Sequence, residues 1–74
     1  MPKLNAKESN ELSVRSAVVD WYATHSYGPS FRDLASSTGL SLGTVYNVCR
    51  DLRESGVIEY IDGVARTLRL VAKG

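Results

Sequence analysis

Seventy-four residues, 43% hydrophobic and 23% charged, describe one small globular domain rather than a disordered tail or a multidomain enzyme. A chain of this length buries only about 60% of the surface its unfolded form exposes, which disfavours a deep catalytic pocket and favours a binding module. The formal charge of +1 is not the strongly basic balance of many nucleic-acid binders, so the placement of charge has to carry any such reading.

The single cysteine, Cys49, has no intrachain partner, and the start "MPKLNAKESN" lacks the apolar core of a secretory signal. No apolar run approaches the roughly 20 residues that span a bilayer. The expectation is a cytoplasmic, nucleoid-associated chain with no membrane partner.

Residues 1–11 are polar and unpatterned and read as a flexible N-terminal arm, leaving a folded domain over residues 12–72. From Ser13, the expected N-cap, residues Val14, Ala17, Val18, Trp21, Tyr22 and His25 recur at helical steps and predict a first helix with that stripe inward. "SYGPS" stops it, since Gly28 and Pro29 make a turn and the residue before a proline avoids the helical region. The segment Tyr27 to Ser30 has room for a short extra strand.

Ser30 followed by Asp33 reads as a capping box opening a second helix, which buries Phe31, Leu34 and Ala35 and closes at Gly39. Ser41 caps a third helix, expected from about Leu42 to Ser55. Its residue types favour strands, yet Val45, Val48, Cys49 and Leu52 follow one another at steps of three, one and three. A helix gathers those on one face and a strand scatters them. Burying each contributes roughly 1.5–3 kcal/mol against a few tenths for local propensity, so the helix wins. After Gly56, "VIEYI" and "ARTLRLV" flank "DGV" and predict a two-stranded hairpin.

Between Phe31 and Arg50, Ala35 permits close helix crossing, Gly39 turns the chain, and Leu40, Val45 and Val48 fill the angle between two helices. This is a helix-turn-helix. With a hairpin behind it, the fold class is α+β: a small winged helix-turn-helix of three helices and a two-stranded wing.

Over Ser13 to Leu70, "VVDWYATHSYGPSFRDLASSTGLS" and "DLRESGVIEYIDGVARTLRL" resemble the DNA-binding domain of the LexA repressor family. The resemblance implies a winged helix-turn-helix that reads operator DNA with its third helix and touches the backbone with its wing. The family's second domain, which carries the autoprotease and the dimer interface, has no counterpart in these residues. The wording of the third helix also differs, so the LexA operator is not expected. Two readings stay open, an excised domain and a free-standing small regulator, such as a phage-encoded one; the end without a linker leans towards the second.

With the apolar stripe inward, Gly43, Asn47 and Arg50 point away and Thr44 and Tyr46 flank them. Gly43 allows close approach to a duplex, Asn47 suits adenine, and Arg50 suits guanine or phosphate. Thr44 and Tyr46 suit a thymine methyl or a phosphate. Ser30 and Arg32 open the second helix and Ser41 the third, where helix N-termini favour phosphate, although Ser30 also reads simply as a cap. Arg66 near the wing tip is the better phosphate contact of the hairpin. Arg69 reads equally as the partner of an acidic residue across the strands. Lys3 and Lys7 read as part of the arm. Arg32, Arg50, Arg66 and one of Lys7 or Arg69 add up to about four phosphate contacts.

Cys49, on the apolar stripe, reads as a core residue, Trp21 and Tyr22 as core packing, and His25 lacks a second metal-ligand type at a suitable spacing. No catalytic constellation, cofactor, metal or small-molecule ligand is expected. The partner is double-stranded DNA, with tight binding expected from two copies on repeated or inverted half-sites about one helical turn apart. The reading from another class is a winged helix serving protein contacts in a transcription or replication complex, which the low net charge favours.

Overall fold

The computed structural model describes residues 5–71. In chain order it contains α1 (Ala6–Thr24), α2 (Phe31–Thr38), α3 (Leu42–Glu54), β1 (Ile58–Glu59) and β2 (Arg69–Leu70). This is the expected α+β arrangement, with a helix-turn-helix in α2 and α3 and the hairpin behind it as a wing.

α1 begins earlier than its apolar stripe suggests. Asn5 is its N-cap: the side-chain oxygen accepts the Glu8 N–H at 2.8 Å, and the amide donates to the Glu8 carboxylate at 3.0 Å. Ser13 is therefore inside the helix, and from Ala6 onward the expected arm is helical. The reason is local, because a reciprocal cap is followed by good helix formers that need no buried face. Lys7 accordingly belongs to α1, 3.9 Å from Asp51 of α3. Lys3 lies outside the described residues.

Val14 and Val18 are fully buried, but the C-terminal end of the expected stripe is not core. Tyr22 remains 39% exposed and His25 caps the helix from outside it, stacked on Trp21 with ring centroids 3.8 Å apart. These rings cover the loop instead. Trp21 Nε1 donates to the Tyr27 carbonyl and the Tyr22 hydroxyl donates to the Leu68 carbonyl, both at 2.7 Å.

α2 carries the full capping box between Ser30 and Asp33 and ends at Gly39 with φ 75°, a conformation that glycine adopts without strain. α3 is capped by Ser41 and buries Val45, Val48, Cys49 and Leu52. Its end is a Schellman turn, with Val57 N–H donating to Leu52 O at 2.9 Å and Gly56 N–H to Arg53 O at 3.1 Å. Leu34 of α2 with Ile58 and Leu68 of the wing complete a core shared by every layer.

The wing departs furthest from expectation. Antiparallel pairing joins Ile58 to Leu70 and Glu59 to Arg69, and the strands are only two residues long. In this register Tyr60 would next face Leu68, and Ile61 would pair with Thr67. There the Thr67 hydroxyl accepts the Ile61 N–H at 2.8 Å and donates to Val64 O at 3.1 Å, so a side chain replaces the ladder. Gly63 (φ 75°) and Arg66 (φ 67°) then turn the chain.

The extra strand expected at Tyr27 to Ser30 is not formed. Pro29 has no N–H to donate, and Arg66 opposite is not extended. The two backbones still touch: a Cβ on Gly28 would lie 2.5 Å from the Leu68 carbonyl oxygen and 2.9 Å from that of Arg66.

Candidate nucleic-acid interface

Helical geometry turns Gly43, Asn47 and Arg50 away from the buried stripe of α3, and all three are exposed. A Cβ on Gly43 would meet nothing within 4 Å. The fold therefore does not require glycine there, at a first-turn position where alanine would leave the unfolded chain less freedom to lose. No hydrogen bond within the described residues engages the Asn47 amide. The Arg50 guanidinium is 64% exposed, and its nearest carboxylate, that of Asp51, is 3.9 Å away, which leaves it accessible.

The flanking residues are more committed. The Ser41 hydroxyl accepts the Thr44 N–H at 3.2 Å and donates to the Thr44 hydroxyl at 2.9 Å. Ser41 is thus the cap of α3, and Thr44 is half-buried beside it. Tyr46 is 51% exposed, its ring leaning on Phe31 with centroids 4.5 Å apart. Ser30 is spent on capping α2, and Arg32 is exposed on that helix's first turn.

The two wing arginines do not stand free. Arg66 Nη1 donates to Asp33 Oδ2 at 2.7 Å, and its guanidinium lies 5.0 Å from the Tyr27 ring centroid and 5.7 Å from that of Trp21. Arg69 pairs with Glu59 across the hairpin. A third tie joins wing to α3, with Arg53 Nη1 3.1 Å from Asp62 Oδ1 and its guanidinium 4.5 Å over Tyr60.

Asp33 is the hinge of this arrangement. The Ser30 backbone N–H above all, and then Arg66, hold its carboxyl below the usual 3.8 against the opposing pull of burial. One carboxylate therefore caps α2 and docks the wing. Between the wing and the first turns of α2 and α3 lies a cleft of about 470 Å³ lined by Phe31, Arg32, Leu42, Tyr46, Ile61 and Val64. Ile61 is 61% and Val64 53% exposed on its outer wall.

Residues 28–59 match a family described as winged helix-turn-helix DNA-binding. No curated protein matches the chain. The matched stretch runs from the turn before α2 through the helix-turn-helix to the end of β1, so it holds the whole α3 face. Among the expected contact residues, Arg66, Arg69 and Lys7 fall outside it.

Cys49 takes no part in the surface of this winged helix-turn-helix. It is fully buried, and desolvation pushes its thiol up to about 12. Among the described residues no group of three His, Cys, Asp or Glu side chains could hold a metal ion. Likewise no described helix is long and apolar enough to cross a membrane. The roles of Asp33, Arg53 and Tyr22 in docking the wing were invisible to sequence reasoning, because the partners lie 33, 9 and 46 positions apart. No local pattern encodes such pairs.

Proposed function

We propose that the protein is a sequence-specific double-stranded DNA-binding transcriptional regulator, with α3 in the major groove and the wing along the backbone. The observation that carries this reading is the α3 face: an exposed Asn47 amide between an accessible Arg50 and a Gly43 that the fold itself does not need. Asn47 reads adenine through its N6 and N7 atoms, Arg50 reaches guanine or phosphate, and Gly43 admits the duplex closely. Thr44 and Tyr46 bound the contact, and the capped N-termini at Ser30 and Ser41 turn their first-turn N–H groups towards phosphate.

Arg32, Arg50 and Arg66 supply the phosphate contacts. Asp33 engages one nitrogen of Arg66 and fixes its direction, leaving the rest of the guanidinium for an anion. Arg69 is held by Glu59, and Lys7 lies beside Asp51 of α3, so neither is counted. With three contacts a single copy binds weakly. Tight binding uses two copies on half-sites about one helical turn apart. The likeness to the LexA repressor domain supports repression by operator occupancy, at an operator of different sequence. The DNA-binding unit comprises residues 12–72, extended by the first turns of α1.

Anisotropy titration of a random duplex pool at several salt concentrations, followed by sequencing of bound duplexes, tests this reading. Three contacts give a slope of log K against log salt near −3 for a single copy, and about twice that for two copies, at about −0.9 per contact. A slope near zero without enriched sequences would refute it. That result would favour the winged helix as a protein-contact module, a second reading that the exposed Ile61 and Val64 support.

A further inference from the structure

We propose that the outward face of α1 docks a second copy of this chain, with the two α1 helices parallel about a twofold axis. This surface is separate from the α3 face and its argument does not depend on DNA.

α1 has two stripes. One, with Val14 and Val18 fully buried, faces the core. On the opposite side Leu12 and Val19 are 47% and 54% exposed, at the seven-residue spacing that brings side chains to one line. The small exposed residues Ser9, Ser16 and Ala23 alternate with them, so the face reads Ser9, Leu12, Ser16, Val19, Ala23. That is an alternating three-and-four step, the seam of a two-helix coil, with small residues that let backbones approach. A shallow groove runs along it, lined by Leu12, Arg15, Ser16, Val19 and Asp20 with Leu70 of β2 at one side.

Charge identifies the occupant and its direction. Arg15 and Asp20 are exposed, and neither has an ion-pair partner among the described residues. At 100° per residue they lie about 70° to either side of the seam, on opposite flanks. A twofold axis parallel to the helices sets one flank of each copy against the opposite flank of the other. Arg15 of each copy then meets Asp20 of its mate, five positions on, and the contact closes with two ion pairs. An antiparallel pair centred on Ser16 sets like flanks together and brings Arg15 against Arg15. The surface is therefore self-complementary in the parallel sense alone, as an isologous interface requires.

The test uses single cysteines on this face and a short bifunctional maleimide, without DNA; the native Cys49 is fully buried and does not react. Ser9→Cys, Ser16→Cys and Ala23→Cys should each cross-link to itself, and Ser36→Cys on α2 should not. Cross-linking only in a mixture of Ser9→Cys with Ala23→Cys would show antiparallel pairing and overturn the proposal. No cross-link at any position would assign the face to another occupant and also overturn it.

Sedimentation equilibrium supplies the second arm. Arg15→Glu or Asp20→Arg should raise the dimer dissociation constant about tenfold, since two exposed pairs become repulsive. The double variant Arg15→Glu with Asp20→Arg should restore it, and so should an equimolar mixture of the two single variants. All these positions are exposed, so wild-type melting is expected throughout. Equal dimerisation by every charge variant, or failure of the double variant to recover, would refute the charge-directed geometry.

Discussion

The helix-turn-helix and the wing are held together by different means. α2 and α3 are fixed by a capping box at Ser30, a serine cap at Ser41, a glycine C-cap at Gly39 and a buried row of aliphatic side chains. The wing has one pair of two-residue strands, and the rest of it is secured by Thr67 within its own loop and by ties to other elements: Arg66 to Asp33, Arg53 to Asp62 and Tyr22 to Leu68. The first kind of order is local and cooperative, whereas the second depends on partners far along the chain. The proposed reader of bases is thus built on the locally fixed part, and the proposed backbone contact on the part held by longer-range ties.

The largest effect should come from the shared core. Leu34 is 1% exposed, and Leu34→Ala is expected to cost about 2–5 kcal/mol in urea or thermal unfolding. Val64→Ala, at a position 53% exposed on the wing, should stay within about 0.5 kcal/mol. Comparable losses at the two sites would show that the outer loop of the wing carries as much of the stability as the shared core.

The seam between the two regions comes next. Gly28→Ala places a methyl group 2.5 Å from the Leu68 carbonyl oxygen, backbone that has no side-chain freedom with which to yield. A cost of about 1–3 kcal/mol is expected, as for an overpacked core. Amide exchange should locate the loss in the wing, while α3 stays protected. Uniform loss of protection would mean that wing and helices open as one unit.

How far the sequence revealed these regions follows the same division. α2 and α3 were legible to within a residue because Ser30, Asp33, Gly39 and Ser41 are local signals and the spacing of Val45, Val48, Cys49 and Leu52 fits one period. The start of α1 was also encoded, in Asn5 followed three residues later by Glu8, but the polar residues after it masked that signal. The lengths of the wing strands were not legible. Their truncation depends on a threonine hydroxyl outcompeting the backbone, and the direction of Arg66 depends on Asp33 in another element. At the candidate site, the outward orientation of Gly43, Asn47 and Arg50 followed from helical geometry and the pairing of Arg69 across the hairpin was one of its two readings, whereas the pairing of Arg66 with Asp33 required the fold.

The division also separates two kinds of DNA contact. Asn47→Ala should cost about 1–3 kcal/mol on the preferred duplex, flatten preference at one base pair and spare random DNA. Arg66→Ala should weaken preferred and random duplexes alike and lower the salt slope by about one unit. Equal weakening of both duplexes by Asn47→Ala would show that α3 does not read bases through that residue.

The smallest effect bears most directly on why the outward face of α3 looks as it does. Gly43 lies in the first turn of the helix with open space where a Cβ would be, so Gly43→Ala removes backbone freedom from the unfolded chain without creating a clash. The variant should be more stable than the wild type by about 0.4–1 kcal/mol. If the duplex approaches the helix closely at this point, the same methyl group should weaken binding to preferred and random DNA, while the salt slope is unchanged because no charge is lost. Stability and affinity would then move in opposite directions, which no misfolding of the variant can imitate. Wild-type affinity in a more stable protein would mean that the duplex does not approach Gly43, and that the groove face is centred further along α3, at Asn47 and Arg50.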